Sequence, residues 1–251
     1  MIFVFPMAGE SRRFAEAGYR PPKFQLMVHG AALFDHAVGS FVAYFGEDRF
    51  LFITRDGDGA TFAAQRCAAL GLANADVVAL ERATSGQAET VFLGLEEAGI
   101  GDDEAVVIFN IDTVRPGYVK PGHVIDPSCA GYLEVFRGAG SGWSYVAADP
   151  QVPGRVTAVA EKRPISDLCC TGLYHFRRAG DFRWAYRHPL PPLSRAEERE
   201  RYVAPLYNAL IARGDRIAFT LISPSEVVFC GTPQEYEKAG ASEEIGRRLR
   251  P

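Results

Sequence analysis

Three cations, Arg12, Arg13 and Lys23, fall within a dozen residues of one another near the start of the chain, around Ala8-Gly9-Glu10-Ser11 and Pro21-Pro22. Gly9 lets a loop turn tightly and leave backbone N–H groups free, and fixed positive charge beside such a loop is what a polyphosphate needs. The same residues also suit an ordinary surface basic loop, because one glycine is a weak signal. A second candidate is Asn110-Ile111-Asp112, at the end of the apolar run Ala105–Phe109. Ligands of open α/β sheets gather beyond the carboxyl ends of strands, where a lone carboxylate can hold Mg²⁺ against phosphate oxygens. An Asp capping the next turn is the plainer alternative.

The elements that must position these groups are legible from periodicity. Ile2–Phe5 is too short for a membrane span and reads as a buried strand ended by Pro6 and Gly9. Leu33, Phe34, Ala37, Val38, Phe41, Val42 and Phe45 recur at helical spacing. Strands are expected at 49–54, 76–80 and 105–112, with helices at about 60–70, capped by the Asp56-Gly57-Asp58-Gly59 turn, and from Thr84 to about Ala98. Asp56 to Gly59 lacks the remaining ligands of a calcium loop. This alternation predicts a parallel α/β sheet. After Asp112 the pattern turns strand-rich, with runs at 132–137, 144–148, 156–161 and 171–176. Helices are expected at 181–187 and 195–213, then strands at 217–222 and 227–229. Thr232-Pro233-Gln234-Glu235 carries three agreeing helix-start signals. The charge run from Arg195 to Arg201 reads as a solvated helix face. The expected fold is a three-layer α/β/α sandwich with a Rossmann-like, mixed, mainly parallel sheet. A single domain spans 1–251, with a first half at 1–115 and a second at 116–251.

Composition narrows the classes. With 251 residues the chain can bury a sizeable core, and its net charge of −4 gives no global basic field for nucleic acid. No apolar stretch approaches a membrane span, and the charged start and cleavage site of a signal peptide are not seen. Five scattered cysteines (Cys67, Cys129, Cys169, Cys170, Cys230) favour reduced thiols in the cytoplasm, and Cys169-Cys170 are expected to alternate, one buried. His29, His36, His123, His175 and His188 are isolated. The chain has no HExxH, no G-x-S-x-G, no G-x-G-x-x-G after the first strand and no Walker A motif.

Ala8-Gly9-Glu10-Ser11-Arg12-Arg13-Phe14 followed by Pro22-Lys23 resembles the A-G-x-G-x-R-(F/L)…P-K signature of nucleotidyltransferases that couple a nucleoside triphosphate (NTP) to a sugar 1-phosphate or similar phospho-compound. Ser11 stands where that signature has a second glycine. The resemblance extends along nearly the whole chain. It implies that Ser85-Gly86-Gln87 reads the nucleobase: glycine admits a close approach, and the Gln amide can donate and accept along the base edge. Ser85 as a plain helix cap is compatible with this. It implies that Asp112 is the family's Mg²⁺ ligand, with Asn110 beside it. Val159-Ala160-Glu161-Lys162-Arg163-Pro164 resembles E-K-x-P, which holds the acceptor, and Thr171-Gly172-Leu173-Tyr174 resembles the G-x-Y strand lining its pocket. Phe229-Cys230-Gly231-Thr232-Pro233 resembles D-x-G-T-P, whose Asp is a second metal ligand; Phe229 occupies that position here. The nearest acid, Glu226, lies three residues earlier and would face the opposite side of a regular strand. A single-carboxylate Mg²⁺ site at Asp112 is therefore expected.

The resemblance implies transfer of a nucleoside monophosphate from NTP to the phospho-acceptor with release of pyrophosphate, for surface-glycan precursors. Arg13 would meet the leaving pyrophosphate, Lys23 the α-phosphate, and Glu161 and Lys162 the acceptor. The loop Ala8 to Arg12 would cradle the nucleotide. Two other classes stay open, a GT-A-type glycosyltransferase and a non-catalytic nucleotide-sugar-binding paralogue, the latter favoured by Phe229. The base, the acceptor and any homo-oligomer are not legible.

Overall fold

The computed structural model describes residues 1–122, 126–192 and 194–249; His123 lies outside them. The first half contains β1 (Ile2–Met7), α1 (Arg12–Glu16), β2 (Met27–Val28), β3 (Ala31–Ala32), α2 (Leu33–Gly39), β4 (Arg49–Thr54), α3 (Gly57–Ala69), β5 (Ala75–Ala79), α4 (Gln87–Glu97), β6 (Val106–Phe109) and β7 (Thr113–Val114). The second half contains β8 (Gly131–Arg137), β9 (Ser144–Ala148), β10 (Val156–Glu161), β11 (Leu168–Phe176), α5 (Ala179–Arg187), α6 (Arg195–Arg199), α7 (Tyr207–Arg213), β12 (Ile217–Ile222), β13 (Val228–Phe229), α8 (Pro233–Ala241) and α9 (Glu243–Leu249).

Strand parity divides the core into two chemically different layers. Side chains alternate across a strand, so Ile2 and Val4 of β1 and Leu51 and Ile53 of β4 face one side of the sheet. There they pack with Val91 and Leu95 of α4, Phe182 of α5 and Tyr207 of α7. Phe3 and Phe5, with Phe50 and Phe52, face the other side, against Phe34 and Val38 of α2 and Ala63 and Cys67 of α3. Rings meet across the strands, with Phe3–Phe50 centroids 5.0 Å apart and Phe5–Phe52 5.1 Å apart. The result is a helix–sheet–helix sandwich.

The sheet runs β10-β9-β11-β6-β1-β4-β5, with β8 pairing β11 and β12 pairing β8. β1 pairs in parallel with both β4 and β6, and β4 with β5. β11 then enters antiparallel beside β6 and switches the sheet to a mixed pattern.

Several local expectations are corrected. The helix expected over Leu33 to Phe45 stops at Gly39, and only a 3₁₀ turn follows at Val42–Tyr44. The helix expected over 195–213 is broken. Ser194 caps α6, Glu200 is extended, and Pro205, lacking an N–H, sits in a 3₁₀ turn before α7. Both Cys169 and Cys170 are buried, because β11 is covered on both faces. Asp56 caps α3 as expected, its carboxylate accepting the Gly59 N–H at 2.8 Å. Among the described residues no helix is long and apolar enough to cross a membrane.

Gly94 lets α4 lie against β4: a Cβ there would overlap the buried Ile53 side chain. Alanine gains about 1 kcal/mol of helix propensity but must displace a close-packed core. Gly94→Ala is therefore expected to destabilise the fold by about 1–2 kcal/mol, read as a lower urea midpoint at unchanged slope.

Candidate active site

The carboxyl ends of β1 and β6 lie side by side, and the loops leaving them line one large cleft of about 1490 Å³. Its lining draws on the first loop (Ala8 to Arg13), Lys23, Ser85 to Gln87, Asn110 to Thr113, and Glu161, Lys162, Thr171, Gly172 and Tyr174. Every residue singled out from the sequence as a site candidate therefore borders this space.

On the first loop, Ser11 adopts φ 52° and ψ 32°, the left-handed region. That explains why a glycine suits this place; serine accepts the conformation at a modest cost. Its hydroxyl in turn receives the Lys23 N–H at 3.2 Å, tying the Pro22-Lys23 turn to the loop. Lys23 Nζ then reaches Asp112 Oδ2 at 2.6 Å across 89 residues of sequence. Arg12 is turned onto Glu10 at 3.0 Å, and Arg55 meets the same carboxylate at 3.1 Å. The Arg12 hydrogen bond and charge hold the exposed Glu10 carboxyl below its usual range. Arg13 borders the cleft without an ion pair among the described residues.

At the next loop Ser85 does not cap α4. Gly86 holds the cap position without a side-chain bond, and Glu89 reaches back to the Ser85 N–H. Gly86 has φ 142°, and a Cβ there would lie 2.6 Å from both N and O of Arg201, so only glycine fits. The Gln87 amide donates to Asn110 Oδ1 at 2.6 Å. Gly172, at φ 97° where the β8–β11 register shifts, leaves room for the same Asn110: a Cβ there would overlap its amide. Thr171 turns inward and donates to the buried Glu134 at 3.1 Å.

On the β10 side of the cleft Glu161 is only 4% exposed and accepts the Ser144 hydroxyl. Burial pushes its carboxyl up to about 7, against the lowering pull of Ser144 and Lys162 and reinforced by Glu197 and Glu200. Lys162 is held at φ 53°, its N–H donating to Trp143 O at 2.8 Å. Its ammonium donates to the Tyr202 hydroxyl at 2.6 Å.

Phe229 packs at 4.7 Å on Trp143 and at 5.2 Å on Phe136. Glu226 is not on a strand, as the parity reasoning assumed, but ends a 3₁₀ turn. Its carboxylate accepts the Ser223 N–H at 2.8 Å and faces Arg115 at 3.4 Å, away from the cleft lining. Glu235 was legible only as the cap of α8, which it is, accepting the Thr232 N–H at 3.0 Å. It also borders the cleft, and its carboxylate and that of Asp112 both come within 4 Å of the point a Gly231 Cβ would occupy. Among the described residues no three His, Cys, Asp or Glu converge. Two carboxylates, Asp112 and Glu235, flank this point, a donor set of the kind that fits Mg²⁺, which keeps water and takes one or two carboxylates.

Sequence reasoning missed the segment after Ser194. Arg195, Ala196, Arg199, Glu200, Tyr202 and Val203 border the cleft, so the run read as solvated turns one face inward. The mixed charge gave no hint of this, because the face is chosen by tertiary contacts.

No protein-family model matches the chain, and no curated protein matches it. Among solved structures, a nucleoside-diphosphate-sugar pyrophosphorylase from Vibrio cholerae RC9 is 45% identical, over 95% of this chain and 98% of that one, at a TM-score of 0.87. An inositol-1-phosphate CTP transferase from T. maritima, 13% identical, shares the fold at 0.74 over 99% of this chain and 94% of that one. A UDP-glucose pyrophosphorylase complexed with UDP-glucose, 16% identical, shares it at 0.73 over 95% and 96%.

The raised Glu161 carboxyl links folding to pH. The folded state keeps this proton above the pH at which the unfolded chain, near 4.5, releases it. The contribution is thus fully present below that value and is lost as pH rises through about 7. Glu161→Gln, which cannot ionise, should gain stability relative to wild type by ~2–3 kcal/mol between about pH 5 and about pH 8.5, measured by urea unfolding. A difference independent of pH would show that Glu161 is not buried uncharged.

Proposed function

This chain belongs to the nucleoside-diphosphate-sugar pyrophosphorylase family of nucleotidyltransferases, and from that membership we propose that it transfers a nucleoside monophosphate from an NTP to a sugar 1-phosphate or a related phosphorylated small molecule, releasing pyrophosphate. It is an enzyme of the pyrophosphorylase type. The product would feed surface-polysaccharide assembly.

The observation that carries the residue assignment is the Lys23–Asp112 contact at 2.6 Å, at the mouth of the crevice between β1 and β6. A cation and a carboxylate meeting beyond the carboxyl ends of these strands support a triphosphate lying between the first loop and the β6 end. No protein nucleophile is needed. A phosphate monoester has a second pKa near ~6, so the acceptor is largely dianionic at neutral pH and can attack the α-phosphorus itself. The protein aligns the partners and neutralises charge. Lys23 turns from Asp112 to the α-phosphate, and Arg13 meets the leaving pyrophosphate. The Ala8-to-Arg12 loop supplies backbone donors, Ser85, Gly86 and Gln87 take the base, and Asn110 steadies Gln87. Asp112 would hold Mg²⁺, which when bound supplies positive charge to the phosphate oxygens. Glu161 and Lys162, with Thr171, Gly172 and Tyr174 around them, receive the acceptor. Phe229, packed into an aromatic cluster instead of offering a carboxylate, supports a second reading: a nucleotide-sugar-binding regulatory protein without turnover.

A matrix of four NTPs against phospho-acceptors, scored by pyrophosphate release, separates the two readings. Release with one NTP and a sugar 1-phosphate is expected; none across the matrix supports the regulatory reading. In the active combination Lys23→Ala should lower turnover by about 10²-fold or more. Asp112→Asn should abolish Mg²⁺-dependent turnover, whereas Glu226→Gln should change it little. Equal damage from the two, with folding intact, would make Glu226 a second metal ligand beside Asp112.

A further inference from the structure

The chain between Ser194 and Val203 is hydrogen-bonded to both ends of the cleft. At the nucleotide end, the Arg201 N–H donates to Ser85 O at 2.9 Å and the Ala88 N–H donates to Arg201 O at 2.9 Å. Gly86 presses directly against that same peptide. At the acceptor end, Glu197 accepts the Glu161 N–H at 3.0 Å. Tyr202 follows Arg201 immediately, so its place is set by the nucleotide loop while its side chain projects to Lys162.

The hydrogen bonds at Tyr202 run in one direction. A tyrosine hydroxyl has one proton to give. It gives that proton to Glu200 Oε2 at 2.6 Å, which leaves its lone pairs to accept from the Lys162 ammonium at 2.6 Å. Lys162 Nζ also lies 4.6 Å from the Tyr202 ring centroid. Burial, then the Glu200 carboxylate, push the hydroxyl's pKa up, so it stays protonated across the working range. An ammonium carries three N–H donors. With one on Tyr202, two remain for a phosphate, and a long flexible side chain is fixed before the ligand arrives.

We propose that Tyr202 is a positioning residue: with Glu200 it aims the Lys162 ammonium at the acceptor phosphate. This rests on the reading of Lys162 as the acceptor-phosphate cation. Tyr202 does not itself touch the acceptor; it works through Lys162, and its neighbour Arg201 ties that aim to the loop that takes the base.

Tyr202→Phe removes the hydroxyl and keeps the ring, so packing and the ring contact to Lys162 survive. The assay is pyrophosphate release with the phospho-acceptor that supports turnover. The acceptor KM should rise about 5–10-fold with kcat within about two-fold, while NTP affinity by calorimetry and the melting temperature stay at wild-type values. In a Lys162→Ala background the same change should add no further rise. Glu200→Gln, at an exposed position, should raise the same KM by a smaller factor, and it serves if Tyr202→Phe folds poorly. The relay is overturned if Lys162→Ala raises the acceptor KM and Tyr202→Phe does not, or if Tyr202→Phe costs the same factor with and without Lys162. If Lys162→Ala leaves the acceptor KM unchanged, or no acceptor supports release, the underlying reading has failed and the relay falls with it.

Discussion

The molecule depends on burying β1 on both faces. Ile2, Phe3, Val4 and Phe5 are fully shielded, which is possible only if the strand lies inside the sheet with a layer on each side. Its two neighbours, β4 and β6, both run parallel to it. Parallel strands present their carboxyl ends along one edge, so the loop after β1 and the loop after β6 emerge next to each other. The Lys23–Asp112 ion pair follows from this placement, with a cation delivered by one loop and a carboxylate by the other. The cleft is a consequence of how the sheet covers its own apolar surface.

The second half completes the cleft by a different device. β11 enters antiparallel against β6, and its register shifts between Cys170 and Tyr174. That irregularity turns Gly172 toward Asn110 and leaves space for the amide that also holds Gln87. One asparagine thus joins the start of α4 to β11. The Ser194–Val203 segment makes a second join on the opposite side. A carboxylate as deeply buried as Glu161 is costly to charge, and its raised pKa lets it remain partly neutral beside the anions this family handles.

The two departures from the family signature each take a local structural role. Ser11 keeps the left-handed backbone a glycine would adopt, and its hydroxyl holds the Lys23 turn. Phe229 offers no carboxylate and packs with Trp143 and Phe136 in an aromatic cluster. With Glu226 drawn to Arg115, the two carboxylates that flank Gly231 are those of Asp112 and Glu235.

The features legible in the amino-acid order are local and periodic. The strand and helix alternation, the Asp56 and Thr232 caps and the three-layer class were all legible, because they are written in side-chain parity, helical spacing and capping chemistry. The cation-rich first loop and Asp112 were legible as candidates, since residue types that suit phosphate sit at strand ends. The direction each side chain takes and the partners it meets come from the folded arrangement. The helix expected over 195–213 breaks, and Arg195 and Arg199 border the cleft, because Arg201 is claimed by Ser85 and Ala88 and Tyr202 by Lys162. Ser85 yields its capping role because Gly86 must press against the Arg201 peptide. Glu226 faces Arg115 because a 3₁₀ turn, not a strand, sets its orientation. The first two outcomes, and the Glu226–Arg115 contact, rest on hydrogen bonds or packing between residues far apart in the chain, which no window of sequence contains.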